Sequence, residues 1–373
     1  MNQQTRTGPL AGLRVVEFAG IGPGPHCVML LSDLGADVLR IDRAGGNGWP
    51  NPVIDRGRHR IELDIRSADG RAAVLETIEH ADVIVEGYRP GVMERLGFGP
   101  DELLARNPRL IYGRMTGWGQ TGPLAKAAGH DLNYIALTGA LAAITGDEGR
   151  PIPPLNLIGD YGGGSLYLAF GIMAALYERE RSGKGQVVDA AIVDGVASMM
   201  AMFGGMLPSD AISLDPGENL LGGRAPFYRC YECEDGKFVS VGPLEPLFYA
   251  ELIDRIGAPE ELRERQNDPA NWFDRGQELA AIFRTKTRDE WCAILEGSDA
   301  CFAPVLTYEE SLTHPHMLAR ETYIDAGGVT QAAPAPRFSR TPGDIGASGD
   351  GDALRKAWMS APRPTNLRHR CTP

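Results

Sequence analysis

Short strand-like segments alternate with helix-like segments through the first half of the chain, and this order constrains the fold more than any other feature. Strands are predicted at 14–19, 38–42, 82–86, 110–115 and 187–193, and helices at 26–34, 69–80 and 165–181. A repeated strand-helix-strand order is typical of a parallel sheet with helices on both faces. The sequence therefore predicts an α/β domain built on a parallel sheet.

The second half of the chain has a different pattern. Residues 197–224 are rich in Met, Gly and helix-breaking residues, which predicts a long connection. Beyond it, segments 227–233 and 237–241 flank the turn at 234–236, a signal for a β-hairpin. Further helices are predicted at 247–256, 277–284 and 288–296. These elements predict a smaller α+β domain, followed at 327–350 by a Gly-, Ala- and Pro-rich covering segment or linker.

The charge balance limits the classes of ligand. The chain has 373 residues with 49 acidic and 37 basic side chains, which gives a formal net charge of −12. At roughly 150 residues per domain, this length predicts two to three domains. A field of this sign disfavours nucleic acid and anionic membranes as partners. It still permits one anionic small molecule, provided that Arg side chains cluster locally around it.

A basic cluster of that kind lies between residues 40 and 66. Its members are Arg40, Arg43, Arg56, Arg58, His59, Arg60 and Arg66, and Arg89 and Arg95 flank a later helix start. Guanidinium groups form bidentate, charge-assisted bonds to phosphate, so the cluster suits coenzyme A or a nucleotide. The alternative is a solvated face whose charges pair with Glu62, Asp64 and Asp69. The residues alone leave both interpretations open.

The cysteine content and the apolar segments predict a setting without metal or membrane. The lone C-x-x-C at Cys230 and Cys233 lacks the second pair that a zinc ribbon needs, so no metal site is expected. Residues 1–12 lack the apolar core of a secretory signal. The apolar stretch at 166–177 is too short to span a bilayer. We therefore expect a cytoplasmic protein with no membrane span.

A first candidate site follows the first predicted strand. Gly20, Gly22 and Gly24 stand at a strand-to-helix turn, where dinucleotide-binding folds place a phosphate, and Asp42 ends the next strand. Two prolines interrupt the motif and remove amide donors that a pyrophosphate would use. A tight structural turn is therefore favoured over a nicotinamide dehydrogenase site.

A second candidate site combines His130 and Asp160. His130 lies between the fourth strand and a helix, and Asp160 precedes the glycines 162–164 at the start of the long helix. Exposed N–H groups of consecutive glycines suit a developing oxyanion, and a carboxylate beside them can act as a base or a nucleophile. The alternative is a helix-capping Asp160 and a structural His130. Glu245 opens a helix of the second domain, either as an N-terminal acid or as a catalytic partner.

Seven segments spread over the chain carry a more specific signal. They are 20–26 (GIGPGPH), 33–38 (DLGADV), 86–92 (EGYRPGV), 115–123 (MTGWGQTGP), 129–134 (GHDLNY), 159–164 (GDYGGG) and 183–190 (GKGQVVDA). Together they resemble the class III CoA-transferase family and, within it, the α-methylacyl-CoA racemases. The likeness extends over nearly the whole chain, from Gly8 to Arg340.

The resemblance implies a domain organisation and an assembly. A Rossmann-like large domain would comprise 6–194 and 333–362, and a small α+β domain would comprise 224–314. The linkers at 195–223 and 315–332 would thread between two chains that interlock as a homodimer. The partner implied is an acyl-CoA substrate. No separate cofactor and no metal is implied, because coenzyme A is part of the substrate.

The resemblance also assigns functional residues. His130, Asp160 and Glu245 match catalytic positions of the family. The positions that match contacts to coenzyme A are Arg43, Leu63, Asp64, Ile65, Arg66, Gly87, Arg89, Arg95, Gly129, Asp131, Leu132, Asn133 and Tyr134.

The activity implied is epimerisation at C2 of a 2-methyl-branched acyl-CoA. His130, with Glu245, would serve one face of C2 and Asp160 the other, while the glycines after Asp160 would donate to the enolate oxygen. CoA transfer with Asp160 as nucleophile is the nearest alternative, and a silent acyl-CoA-binding protein is a third. Four methionines form either an acyl channel or core or dimer contacts: Met199, Met200, Met202 and Met206. The sequence leaves the acyl chain undefined.

Overall fold

The computed structural model describes residues 6–46, 50–146 and 149–361. Within these ranges the strands are β1 (Arg14–Phe18), β2 (Asp37–Asp42), β3 (Arg58–Glu62), β4 (Val83–Glu86), β5 (Ile111–Thr116), β6 (Gln186–Ala191), β7 (Arg229–Glu232), β8 (Phe238–Val241), β9 (Phe302–Val305), β10 (Tyr323–Ala326), β11 (Val329–Ala332) and β12 (Gly349–Asp350). Residue 362, the end of the predicted large domain, lies outside the described residues.

Helices separate most of the strands in the first half of the chain, as expected, although β3 follows β2 without a helix between them. They are α1 (Pro23–Asp33), α2 (Ala68–Ile78), α3 (Val92–Leu96), α4 (Pro100–Arg106), α5 (Asp131–Leu137), α6 (Ala140–Ala143), α7 (Tyr167–Ser182), α8 (Ile192–Met199), α9 (Ala201–Met206), α10 (Pro246–Arg255), α11 (Trp272–Phe283), α12 (Arg288–Leu295), α13 (Tyr308–Ser311), α14 (Pro315–Ala319) and α15 (Gly351–Ser360). A π-helix occupies Leu157–Leu166, and 3-10 turns lie at Leu207–Ser209, Glu260–Arg263 and Pro269–Asn271.

The chain divides into two compact units. The first unit comprises Met1–Thr138, Leu155–Met199 and Glu321–Pro373, and the second comprises Gly139–Pro154 and Met200–Arg320. The second unit therefore takes in a short stretch that the sequence placed in the large domain. The predicted domain and linker limits stay predictions.

The first unit carries a seven-stranded sheet in the order β12-β3-β2-β1-β4-β5-β6. Every neighbouring pair in it is parallel. This confirms the predicted parallel α/β architecture. The strands β1 and β4 are buried along their whole length, and this burial accounts for the apolar residues that make up most of each strand.

The structure corrects three predicted segments of the chain. The segment 327–350 contains β11 and β12, so it is more than a covering segment or linker. The stretch predicted as a connection at 197–224 contains α9. The strand predicted at 187–193 ends at Ala191, because Ile192 begins a helix. Apolar runs of this length satisfy both the strand and the helix pattern, so periodicity alone does not separate them.

Much of the basic cluster is neutralised inside the first unit. Arg58 is fully buried, and its Nε lies 3.1 Å from Oε2 of Glu17, which is 1% exposed. Arg40 lies 3.0 Å from the carboxylate of Asp42, and Arg56 donates to Asp33 at 2.9 Å. These acids are not the ones that the sequence offered as partners: Glu17 lies on β1, two strands from Arg58, Asp42 lies on the same strand as Arg40, and Asp33 lies on α1. Both interpretations of the cluster are therefore wrong for these three arginines.

The buried pair of Arg58 and Glu17 gives a stability prediction. The variant Arg58→Met leaves the Glu17 carboxylate buried without its partner. We expect the free energy of unfolding to fall by about 3–5 kcal/mol, the usual cost of an uncompensated buried charge. Urea titration followed by circular dichroism measures it.

The control is Arg106→Met, whose side chain is 39% exposed in its ion pairs with Glu79 and Glu102. In this surface variant the free energy of unfolding is expected to fall by less than about 1 kcal/mol. Equal losses for both variants would contradict the structural role of the buried pair.

The second unit has its own sheet and core. The strands β7, β8 and β9 form an antiparallel sheet, and β7 and β8 confirm the predicted hairpin. The core between this sheet and its helices is aromatic: Phe227 packs edge-on against Trp272, and Phe283 against Trp291. Together with the parallel sheet, this confirms the predicted pairing of an α/β part with a small α+β part.

Two further observations concern metal and membrane. In the part of the chain that the structure describes, no three His, Cys, Asp or Glu side chains group as metal ligands would. No single helix there is long and apolar enough to cross a bilayer. Helix α8 and the segment Ala201–Ser209, bent by 49°, reach that length and composition only as a pair.

Candidate functional site

A cavity of about 560 Å³ opens at the carboxyl ends of β1, β4 and β5. It is lined by residues 17–25, 85–90, 115–118 and 127–130, with Arg43, Ala125, Tyr134, Asp160 and Ile192. The strand order reverses at β1, which has β2 on one side and β4 on the other. Parallel α/β sheets bind ligands in the crevice at such a reversal. The topology therefore places the candidate site.

The two sequence candidates meet in this cavity. The turn at 20–25 leads from β1 into α1, and Gly22 in it has φ 72°, a conformation that favours glycine. A Cβ added at Gly22 would lie 3.4 Å from Oδ2 of Asp160. The turn of the first candidate thus packs directly against the carboxylate of the second.

Asp160 lies in the first turn of the π-helix. The glycines that follow it are required by packing, since a Cβ on Gly163 would lie 2.5 Å from Cγ2 of Val196 on α8. In a π-helix each interior N–H bonds to the carbonyl five residues earlier. Bonding of this kind inside the helix competes with donation from Gly162 and Gly164 to an enolate oxygen. That expected donation stays a prediction.

Asp131 holds the backbone at Asp160. Its Oδ1 accepts the Asp160 N–H at 2.6 Å, and it also accepts a backbone hydrogen bond from Gly159. A Cβ on Gly159 would lie 2.3 Å from the same Oδ1, so only glycine permits this approach. Asp131 is 7% exposed, and its second carboxylate oxygen has no partner among the described residues.

Two neighbouring carboxylates set the charge state of the site. Burial raises the pKa of Asp160, and the Asp131 charge raises it further, against an opposing hydrogen bond from Asn156 and the influence of His130. Burial also raises the pKa of Asp131. A carboxylic acid whose pKa is raised in the direction of the working pH is better suited to exchanging protons with a substrate.

His130 faces the same cavity from the start of α5. It is exposed, and its backbone N–H donates to Oδ1 of Asn133 at 3.0 Å, which closes the helix start. The Tyr134 hydroxyl donates to the carbonyl of Gly129, and its ring meets Trp118 edge-on at 4.7 Å. These local contacts fix the loop that presents the imidazole to the cavity.

The structure divides the residues that the resemblance assigned to coenzyme A. Five of them line the cavity: Arg43, Gly87, Arg89, Gly129 and Tyr134. The other eight lie outside the lining of this cavity: Leu63, Asp64, Ile65, Arg66, Arg95, Asp131, Leu132 and Asn133. Of these, Leu63 and Ile65 pack on the core beside α2. Arg43 and Arg89 are exposed, so their guanidinium groups are accessible to an anion.

Glu245 belongs to the second unit. It is exposed and precedes Pro246, the first residue of α10, and its carbonyl accepts the N–H of Tyr249 at 3.0 Å. The sequence correctly placed it at a helix start. Its charge raises the pKa of Cys301 after the larger effect of burial.

Some cavity residues were missed from the sequence. Glu86 is 1% exposed, binds Arg114 at 2.9 Å and accepts the Tyr88 N–H at 2.7 Å. Glu17 and Trp118 also line the cavity. A usable signal existed, because Glu17 and Glu86 each follow directly on an apolar run within a buried strand. A buried acid at the carboxyl end of a parallel strand points to the ligand-binding edge.

The contact between Asp131 and Asp160 gives a prediction. The variant Asp131→Asn keeps an oxygen for the Asp160 N–H and removes the charge. We therefore expect the pKa of Asp160 to fall. A pH titration of the Asp160 carboxyl carbon by NMR measures it.

The matched control is Asp189→Asn. Burial also raises the pKa of Asp189, but its charged neighbours are Arg114 and Asp194. This variant is expected to leave the titration of Asp160 unchanged. An unchanged midpoint in Asp131→Asn would refute the electrostatic link between the two carboxylates.

Comparison with known proteins adds a family and close relatives. A sequence model of CoA-transferase family III matches residues 10–348. The alpha-methylacyl-CoA racemase of Mus musculus is 44% identical over 334 residues, covering 89% of this chain and 87% of that protein. The alpha-methylacyl-CoA racemase of Homo sapiens is 41% identical over 334 residues, which again cover 89% of this chain and 87% of that protein. The crystal structure of a CaiB/BaiF family protein from Brucella suis superposes with a TM-score of 0.80 at 28% sequence identity. The match covers 95% of this chain and 100% of that chain.

Proposed function

The chain belongs to CoA-transferase family III, and we propose that it is a racemase that inverts C2 of 2-methyl-branched acyl-CoA thioesters. Identity of 41–44% to two alpha-methylacyl-CoA racemases over 89% of the chain supports this reaction class. The observation that carries the proposal is that His130 and Asp160 line one cavity. Inversion of a carbon by proton exchange needs two such groups, one for each face.

The proposed chemistry moves one proton off C2 and one proton onto it. The C2–H bond beside a thioester is weakly acidic, so a base removes the proton while the electron pair passes to the carbonyl oxygen as an enolate. The second group then returns a proton to the opposite face of C2. His130 and Asp160 are the two proton carriers in this proposal. The raised pKa of Asp160 helps it to hold a proton between these steps.

Coenzyme A enters this proposal as part of the substrate, so no separate cofactor is invoked. The exposed Arg43 and Arg89 line the cavity and suit its phosphates, because guanidinium–phosphate bonds are charge-assisted. The buried Arg40, Arg56 and Arg58 are already bound to acids. The exposed arginines are therefore the ones that we assign to the ligand.

Assembly as an interlocked homodimer belongs to the same proposal. On α7, Phe170 is 74% exposed and Tyr177 is 70% exposed, so two aromatic side chains are available to a second copy. Glu245 is exposed on the second unit, where it is available to assist a histidine. Its part in catalysis stays a prediction, as does the cytoplasmic location.

Deuterium uptake tests the racemase proposal. Wild-type protein incubated in D₂O with one epimer of a 2-methylacyl-CoA is expected to yield both epimers with deuterium at C2, read by mass spectrometry and chiral chromatography. The variants His130→Ala and Asp160→Asn each remove one proton carrier. We expect each to lower kcat by about 10²–10⁴-fold, the usual contribution of such a group.

Folding of both variants is checked by circular dichroism. A folded wild-type protein that neither racemises the substrate nor incorporates deuterium would refute the proposal. Undiminished rates in both variants would refute the assigned roles. A panel of steroid, fatty-acyl and 2-arylpropionyl thioesters then identifies the acyl chain.

CoA transfer is the second candidate function, because the matching family model describes transferases and Asp160 presents a carboxylate to the cavity. A transferase would form a covalent adduct on Asp160, since a carboxylate is a suitable nucleophile for a thioester. Hydroxylamine treatment during turnover, followed by peptide mass spectrometry, is expected to leave Asp160 unmodified. A hydroxamate at Asp160 would favour transfer over racemisation.

A further inference from the structure

His26 contacts the Asp160 segment from behind the cavity. It lies in α1, and its ring stacks on that of Tyr161 with centroids 4.2 Å apart and an interplanar angle of 15°. Its Nδ1 lies 2.6 Å from Oγ of Ser165, a hydrogen bond to a fully buried side chain. Tyr161 directly follows Asp160, and Ser165 lies about one turn further along the π-helix. The imidazole therefore braces two successive turns of the segment that carries Asp160.

The charge state of His26 suits a structural contact of this kind. Burial lowers its pKa to about 4, and the positive charges of Arg58 and Arg56 act in the same direction. The ring is therefore neutral around pH 7, and one ring nitrogen can accept a hydrogen bond. Because His26 does not line the cavity, it is not a candidate proton carrier for the substrate.

The segment needs such support because of its helix type. A π-helix is rare, and it usually appears as a short insertion at functional sites. Here it extends over ten residues and includes three consecutive glycines, which lose the most conformational freedom on folding. Contacts from outside the helix must therefore hold its geometry. Asp131 supplies one on the backbone of Asp160, and His26 supplies another on side chains.

We propose that His26 is a positioning residue for Asp160, acting through its ring contact with Tyr161 and its hydrogen bond to Ser165. This inference rests on the proposed function. Displacing a catalytic group by about 1 Å can cost about 10²-fold in rate. Loss of the brace should therefore slow proton exchange at C2 and leave ligand binding unchanged, because the assigned phosphate contacts, Arg43 and Arg89, lie elsewhere in the cavity.

Three variants separate the two contacts. His26→Phe keeps an aromatic ring on Tyr161 and removes the hydrogen bond. Ser165→Ala removes the same hydrogen bond from the other side. His26→Asn loses the ring but keeps a polar group near the position of Nδ1, so it is the conservative variant.

The matched control is Ser32→Ala. Ser32 lies on the same helix as His26 and is fully buried as Ser165 is. Its hydroxyl donates to the carbonyl of Gly57 at 3.1 Å and accepts from Nη2 of Arg6 at 3.2 Å. It has no contact with Asp160 in the described structure. The control therefore reports the cost of losing the hydrogen bonds of a buried serine away from the site, and it removes at least as many bonds as Ser165→Ala.

The measurements are kcat and KM for C2 deuterium uptake, with Tm recorded for each variant. We expect His26→Phe and Ser165→Ala each to lower kcat about 10- to 100-fold. KM should stay within about twofold, as expected when only transition-state positioning is lost. Their double variant should lose no more than either alone, because both remove one bond. His26→Asn should recover part of kcat, and Ser32→Ala should retain wild-type kcat.

Two outcomes would overturn the inference. One is a wild-type kcat in His26→Phe. The other is a loss of kcat that parallels the loss of Tm in His26→Phe and in Ser32→Ala alike, because this result would indicate a role in stability only. If wild type shows no exchange, the proposed function fails, and the inference is then tested by NMR. A shifted titration of the Asp160 carboxyl in His26→Phe supports the brace, and an unshifted one rejects it.

Discussion

The buried guanidinium of Arg58 joins the sheet to the cavity, and the rest of the first unit depends on it. It binds Glu17 on β1 and donates to the carbonyl of Pro25, in the turn that lines the cavity. An uncompensated charge at this depth costs about 3–5 kcal/mol. The bonds of Arg58 therefore hold strand β1 and the turn at 20–25 in fixed positions relative to each other. The same positive charge helps to keep His26 neutral beside the segment of Asp160. Stability and site geometry therefore share one interaction.

The sequence was sufficient to predict the centre of the sheet and insufficient for its edge. The strands β1 and β4 are buried on both faces, so their apolar runs are visible in the sequence. The strand β3 (RHRIE) was missed because it reads as part of a basic cluster, and the partner of Arg58 lies 41 residues away. The strand β12 has two residues and forms only because β3 offers it an edge. Such tertiary pairings leave no local pattern.

The same distinction applies to the site. His130 and Asp160 could be singled out because each stands at a break between predicted elements, and the structure brings both to one cavity. The three glycines suggested free amides, whereas the structure shows them packed closely on α8 within a π-helix. Neither Asp131 as the backbone anchor nor His26 as a brace was foreseen. Both act on a segment more than 25 residues away, so only the folded chain shows their partners.

The acidic net charge and an anionic ligand are compatible because of where the arginines lie. Arg40, Arg56 and Arg58 are neutralised inside the first unit and contribute little to the field outside it. Arg43 and Arg89 are exposed at the cavity, which gives a local positive region on a chain of net charge −12. A compact anion can bind at these two side chains, whereas a polyanion also meets the excess of carboxylates on the rest of the chain. In the proposed function, selectivity for a small phosphate-bearing ligand rests on the placement of the guanidinium groups, and their number alone does not predict it.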